Sequence, residues 1–580
     1  MSIFSKNKRS AAEVEKTDLS KVPFARFANL PPIYKRADKK VLTAEACKKN
    51  LLQFTNSPIR MLEEAKNILL TSNCIQLKSE DRFEIANVVF SQIYPEFALW
   101  YYKYQKMESS LPESRERRTT LLACIEALEQ LVIAYELYFR EIYTSVPGKF
   151  KKVKDKLSHS GFRILEVLLL LQRMRALRYQ KLPRTDWHNC NQVFFSMALH
   201  SALDDEYQLH GSVGIRDQTL KDNRKGLYKS SIKQMFLSIH LFGLMDVSTW
   251  PLQLFHVPDA YLDFLNGQGL KVAADNGDKL QPGWLYIDLY QDEPLRFERA
   301  AIRQEPSILV DYSLLFNTLV KDHEEIGKMK FISDFNPQKL SRPLQKFNEE
   351  LRVPVLELML MALQTRNRKL KRYTSFADET MKVYFGKKDV LHLLTDLTRT
   401  DVDAVMRSRQ FVDTLAQQSA LLSYDDNLHM RTNWRMVNFS TGGMLIHTTE
   451  SSFNHAIQLG QLMAMVPSSE LKTPTLGVVV RLQRQHDGFV EVAIHTLSNR
   501  PEIGFIFEEK TDDARGRGVI VYQSVNGNWY AVFNSTDNVV PGTPFWLIRP
   551  KVDRVPVRLG NVYMSKKEFV IFELRSPGMK

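Results

Sequence analysis

The sequence predicts a multidomain chain: a mainly α-helical N-terminal region, then a β-barrel, then a small β-rich C-terminal extension. Three observations carry this. At 580 residues the chain is several times a typical domain of roughly 150. From about residue 41 to 365, apolar residues recur at spacings of three and four, the period of a helix with one buried stripe. After about 365 the period falls to two, and glycine-containing turns separate short apolar runs.

Composition says that these segments pack. Apolar residues make up 44% and aromatics 11% of the chain, enough to bury sizeable cores. With 24 Gly and 24 Pro it is neither collagen-like nor of low complexity. Its four cysteines, Cys47, Cys74, Cys124 and Cys190, are far apart and form no CxxC pair, which excludes a disulfide framework and a zinc knuckle and favours a reducing compartment. The N-terminus, Met1 to Arg9, lacks the apolar core of a signal peptide. The most hydrophobic run, Ile164 to Leu171, is interrupted by Glu166 and is far shorter than the roughly 20 residues of a membrane span. The expectation is a cytoplasmic protein with no membrane span. A net charge of +13 admits a polyanionic partner, yet no nucleic-acid-binding motif accompanies it, so no nucleic-acid polymer is expected.

Residues 1–40 are polar and basic, with Pro31-Pro32 near their end, and read as a loosely docked arm. Residues 41–365 form the helical domain. In Leu121 to Phe139 apolar side chains fall at 121, 122, 125, 128, 131, 132, 135 and 138, one stripe of a helix. Phe162 to Tyr179 is more hydrophobic and reads as a helix buried on most sides. Val193 onward, Ser231 to Leu244 and Pro354 to Gln364 continue the pattern, while Trp284 to Tyr290 is either a short strand or irregular. No fixed-period repeat is present, so two readings stand: a protein-interaction scaffold, or a helical domain that simply packs. The basic run Lys149 to Lys156 reads as a solvated loop or helix start.

The β-rich part begins with Met381 to Phe385. A helical insertion follows at about 387–422, marked by Val390, Leu391, Leu393, Leu394 and Leu397. Leu476 to Leu482 and Phe489 to Leu497 flank Asp487-Gly488, a hairpin signal, and Val519 to Phe533 repeats the device around Asn526-Gly527. Phe545 to Ile548, Val562-Tyr563 and Phe569 to Leu574 complete the tail. Short strands joined by such turns favour small barrels, in which closure leaves few exposed edges. The expected divisions are 366–510 for the barrel and 511–580 for the extension or second small barrel.

The chain carries no Walker loop, no HExxH and no GxSxG elbow, and His323-Glu-Glu lacks a second histidine. Asp186-Trp-His-Asn-Cys190 holds ligand types without a companion pair and reads as a structured turn or packed loop. The expectation is a non-enzyme without metal or cofactor.

Two clusters are more informative. Arg366-Asn-Arg368-Lys-Leu-Lys-Arg372 precedes the first strand, and Asn438-Phe-Ser440-Thr-Gly-Gly443 precedes the strand at Met444 to Ile446. A paired arginine suits a nucleotide, because its planar fork pairs bidentately with phosphate or guanine and stacks on a ring. Short Asn and Ser side chains hydrogen-bond such a ligand while holding a turn, and Gly allows positive φ or close backbone approach. In this order around a barrel, RxxxR followed by [DN]xSxxG resembles the PilZ domain family, the bacterial receptor module for cyclic di-GMP. The resemblance covers about 366–510, including the hairpin at Leu476 to Ile494, and leaves the helical region uncovered. It implies cyclic di-GMP as ligand, held by Arg368, Arg372, Asn438, Ser440 and Gly443; Arg366 is the alternative to Arg368 in a crowded segment. Arg372 and Asn438 are 66 positions apart, farther than in the family, and the helical insertion accounts for the distance if strand pairing is preserved. The implied role is an effector of bacterial motility, pili, adhesion or biofilm that engages an unidentified protein partner through its helical region. The rival is a constitutive scaffold or adaptor whose PilZ-like barrel binds no nucleotide.

Overall fold

The computed structural model describes residues 42–576 except 108, 112, 146–149, 210–228, 269, 276–282, 290–291, 297–305, 328–336, 346, 348, 364–372, 375–379, 401–433, 441, 450–456, 468–472, 486–487, 509–515, 525 and 551. The arm at 1–40, the cluster Arg366 to Arg372 and the later part of the expected insertion lie outside the described residues. The chain forms two compact units, one of residues up to 107 plus 114–366, the other of 108–113 plus 367–580.

The first unit is helical: α1 (Ala44–Leu52), α2 (Pro58–Cys74), α3 (Ser79–Gln105), α4 (Arg115–Ser145), α5 (Phe150–Ala176), α6 (Arg184–Leu199), α7 (Ile232–Leu244), α8 (His256–Gln268), α9 (Ser313–Gly327), α10 (Arg342–Gln345) and α11 (Glu349–Leu363). The strand β1 (Ser110–Leu111), between α3 and α4 in the chain, belongs to the second unit. Local signals set several starts. The Thr43 hydroxyl accepts from the Ala46 amide, Pro58 opens α2, and Ser231 and Gln234 form a capping box at α7. A short hairpin joins β2 (Glu206–Gln208) to β3 (Lys229–Ser231). A three-stranded antiparallel sheet, ordered β4 (Val272–Ala274), β6 (Ser307–Asp311), β5 (Trp284–Asp288), resolves the ambiguous Trp284 segment as a strand.

The core helix is α5, in which every residue from 161 to 172 is buried. It packs against α4, α6 and α7. The charged residues of its inner part are paired: Arg163 with Glu166 at 2.5 Å, Arg173 with Asp259, and Arg175 with Glu129. A polar seam on α6 ties the helices to the sheet. The Asn189 amide donates to Glu136 at 2.7 Å, Gln192 donates to the Leu289 carbonyl at 3.2 Å, and Asn191 meets His240 at 2.9 Å. Thus Asp186 to Cys190, expected as a turn or loop, lies on a helix, with Trp187, Asn189 and Cys190 buried and Asp186 and His188 half-buried. Burial pushes the Asp186 carboxyl up to about 6. No helix among the described residues is long and apolar enough to cross a membrane.

The second unit holds two closed barrels. The strands of the first are β8 (Thr380–Phe385), β9 (Trp434–Ser440), β10 (Gly443–Thr449), β12 (Leu462–Pro467), β13 (Thr475–Arg484) and β14 (Phe489–Ser498), closed through the β9–β10 hairpin. β7 (Tyr373–Thr374) adds beside β9, and β11 (Ile457–Gln458) pairs with β1. The second barrel runs β15 (Glu502–Glu508), β16 (Arg517–Gln523), β17 (Trp529–Asn534), β20 (Phe569–Arg575), β19 (Val552–Ser565), β18 (Pro544–Arg549). The boundary expected at 510 falls after β15, whose partners β16 and β18 both belong to the second barrel.

The helix α12 (Gly386–Thr400) is a core element rather than an appendage. Its Val390, Leu393 and Leu394 join Leu462, Ala464 and Val478 of the first barrel and Phe505, Tyr522 and Ile571 of the second in one buried cluster. The second barrel is filled separately, by Val519, Phe533, Leu547, Phe572 and their neighbours. Strand β8 turns into α12 at Gly386, whose φ is +83°. An L side chain strains that conformation even though a Cβ there would approach nothing closer than the Gln461 side chain at 3.8 Å. Gly386→Ala is expected to cost about 1–2 kcal/mol, read as an earlier urea midpoint for the loss of β signal.

Candidate functional site

The motif residues sit on the β9–β10 hairpin. Ser440 pairs with Gly443 across a two-residue turn, and the Ser440 hydroxyl donates to the Gly443 carbonyl at 3.1 Å. The Gly442 carbonyl accepts twice from β14, from the His495 Nδ1–H at 3.1 Å and the Thr496 amide at 3.2 Å. A turn braced from both sides offers its polar groups in one arrangement, which lowers the cost of ordering them around a ligand.

Which way those groups point is decided by a β-bulge. Strand β10 alternates: Ile446 and Thr448 pair with Val492 and Val490, all four nearly fully buried inside the barrel, and the half-buried Met444 pairs with the buried Ile494. Leu445 and Gly443 therefore belong to the outer face. On β9, Trp434 is inside against Phe385, so unbroken alternation would also send residues 436, 438 and 440 inward. The register instead jumps: Ile446 pairs with Met436 and Leu445 with Asn438, leaving Val437 unpaired. The extra residue reverses the parity, and Asn438 and Ser440 face outward with Leu445 and Gly443. On the other edge of β9, Thr374 lies opposite Asn438 and Tyr373 opposite Phe439.

Asn438, Ser440 and Gly443 thus come together, although the sequence reading treats them as turn residues before a strand. All three are strand residues, Asn438 and Ser440 on β9 and Gly443 at the start of β10. Gly443 needs no positive φ; a Cβ there would lie 2.4 Å from the Ile494 carbonyl oxygen, so its requirement is purely the close approach of β14. Arg366, Arg368 and Arg372 lie outside the described residues. The long separation of the two motifs is spanned by β8 and α12, and β8 pairs with β9 through Thr380 with Arg435 and Met381 with Trp434.

Sequence reasoning missed Thr374 and His495, which join the site only through strand register. No local signal in the sequence marks the Val437 bulge. Among the described residues no group of three or more His, Cys, Asp or Glu side chains is placed to hold a metal. A separate cleft of about 810 Å³ on the second barrel carries Arg558 and Arg575, but Arg575 is already held by Glu573 at 2.8 Å.

Residues 55–253, about a third of the chain and all but 108–113 within the helical unit, match the family described as "Cyclic-di-GMP receptor FimW, N-terminal domain". No curated protein and no solved structure matches the chain.

Proposed function

We propose that this protein is a cyclic di-GMP receptor whose first barrel holds the nucleotide through Arg368, Arg372, Asn438, Ser440 and Gly443, with Arg366 at the same segment. The observation that carries the reading is the outward display of Asn438 and Ser440 on a braced hairpin, produced by the Val437 bulge. Two further facts support it. Arg372 directly precedes Tyr373 in the chain, and Tyr373 lies opposite Phe439 of the motif strand. The match of residues 55–253 to a receptor family of the same ligand falls on a part of the chain that the PilZ resemblance does not touch.

The ligand brings two phosphates and two guanines. The arginines neutralise phosphate and pair with guanine edges, while the hairpin supplies the short polar groups and a backbone close enough to form the floor. We further propose that the helical unit carries the output, by engaging a protein partner in the control of bacterial motility, pili, adhesion or biofilm, in the cytoplasm and without catalysis.

Isothermal titration of the full chain with cyclic di-GMP tests this. Saturable binding is expected, weakened about tenfold or more by Arg368→Ala or Arg372→Ala, since a charge-assisted hydrogen bond is worth about 1.5–3 kcal/mol. The double variant Asn438→Ala/Ser440→Ala is expected to bind more weakly with an unchanged melting profile of the helical unit. Wild-type protein that shows no saturation at high micromolar ligand overturns the receptor reading. Unchanged affinity in the double variant overturns the motif assignment alone.

A further inference from the structure

We infer that Arg481 is a specificity-determining residue of this same site, reading the guanine edge at the end of the ligand away from the β9–β10 turn; the inference rests on the receptor reading above. Arg481 lies on β13 directly opposite Ala493, Ala493 opposite Leu445, and Leu445 opposite Asn438. Residues directly opposite across antiparallel strands share a face, so Arg481 and Asn438 stand on one outward row. The row spans three strand spacings, roughly 14 Å.

A second bulge puts Arg481 there. Val478 pairs with His495 on the outer face and Val479 with Ile494 on the inner, after which the register jumps and Arg481, not Val480, meets Ala493. Val480 is left unpaired and 54% exposed. Without that extra residue the guanidinium would point into the barrel. Two bulges on different strands thus aim Asn438 and Arg481 at the same surface.

The surface between them is low. Ala493 on the row and Gly443 beside it carry almost no side chain, so little stands between the backbone and a flat ligand there. Arg481 itself is half-buried and has no hydrogen-bond or ion-pair partner among the described residues. A partly desolvated guanidinium without a counter-group calls for an acceptor. In cyclic di-GMP the phosphates are central and the bases terminal, so a cation three strands from the turn meets a base. Guanine offers two acceptors, O6 and N7, to the guanidinium fork. Adenine replaces O6 by an amino donor, which a group with five donors and no acceptor cannot pair.

The test compares cyclic di-GMP with cyclic di-AMP on the full chain by isothermal titration, for wild type, Arg481→Ala and Arg481→Lys, with thermal unfolding as the check on folding. Wild type is expected to prefer the guanine ligand. Arg481→Ala should weaken cyclic di-GMP on the order of tenfold or more, leave cyclic di-AMP nearly unchanged, and so narrow the preference. Arg481→Lys, which keeps the charge but loses the fork, should lose most of that preference too. An unchanged cyclic di-GMP affinity in Arg481→Ala, or an equal loss for both ligands, overturns the base-reading role and leaves the receptor reading standing. Wild type that binds neither ligand overturns both.

Discussion

Gly443→Ala is expected to destabilise the first barrel and to abolish high-affinity nucleotide binding together. The added Cβ would sit 2.4 Å from the Ile494 carbonyl oxygen, inside any tolerated contact, and the obstruction is backbone that cannot swing away. Strand β14 is confined on its other side as well, because a Cβ at Gly477 would meet the Ile494 side chain at 2.4 Å and the His495 carbonyl at 2.8 Å. Relief therefore requires β10 and β14 to separate at the point where His495 and Thr496 brace the Gly442 carbonyl. Overpacking of this kind costs about 1–3 kcal/mol for a methyl group, and Gly443→Val should exceed that. Hydrogen exchange gives the localised readout: faster exchange at 443–449 and 489–498, with α4 and α5 unaffected. Equal protection in Gly443→Val and wild type would show that the close approach is not structurally required.

The second large effect is expected in the helical unit on acidification. His240 is completely buried, and burial holds its imidazole down to about 3, against an ordinary value near 6.5. Its ring is neutral and fully used. The main-chain amide of Leu295 donates to Nδ1 at 3.2 Å, which leaves Nε2 to donate to the Asn191 side-chain oxygen at 2.9 Å. A basic group with a depressed folded pKa binds its proton more tightly in the unfolded chain. Its stabilising contribution is therefore complete above about pH 6.5 and is lost as pH falls from there toward about 3, by at most about 1.4 kcal/mol per pH unit. Asp186 acts in the opposite sense: raised to about 6, its contribution is present below about 4 and lost as pH rises through about 6. Subtracting a His240→Gln profile isolates the histidine. The variant should be less stable at pH 7.5, and its urea midpoint should fall less steeply than that of wild type between pH 6.5 and 4.5. A stability difference that stays constant over that window would rule out a neutral, buried His240 as the source of acid sensitivity.

Strand β12 shows why periodicity alone leaves some elements unread. Leu462 to Val466 is buried on both faces, because one side lines the first barrel while the other meets α12 and the second barrel. A strand buried twice has no alternation to detect. The same shared core conceals β15. Ile503, Phe505 and Phe507 pack in the common cluster, and Ile506 points into the second barrel, so the run reads as uniformly apolar. Helices α4 and α5, by contrast, were legible, since a stripe at three and four residues and an all-round apolar helix are local patterns. The strands flanking Gly488 and Gly527 were legible too, because both glycines adopt a φ of +83° in turns whose chemistry is written in adjacent residues.

By itself, then, the sequence determined what depends on neighbours in the chain: the change from helical to strand period near residue 365, the hairpin turns, and the two polar motifs with their residue types. Tertiary structure decided what depends on partners far away in the chain. The face that Asn438 and Ser440 present is set by one unpaired residue, Val437, whose existence is defined only against β10. Gly443 is demanded by the carbonyl of Ile494, 51 positions on. Arg481 shares the row of Asn438 only through three successive strand pairings and a second bulge. The physical reason is the period of two: a single-residue slip in register turns every later side chain to the opposite face, and register belongs to the pair of strands rather than to either one.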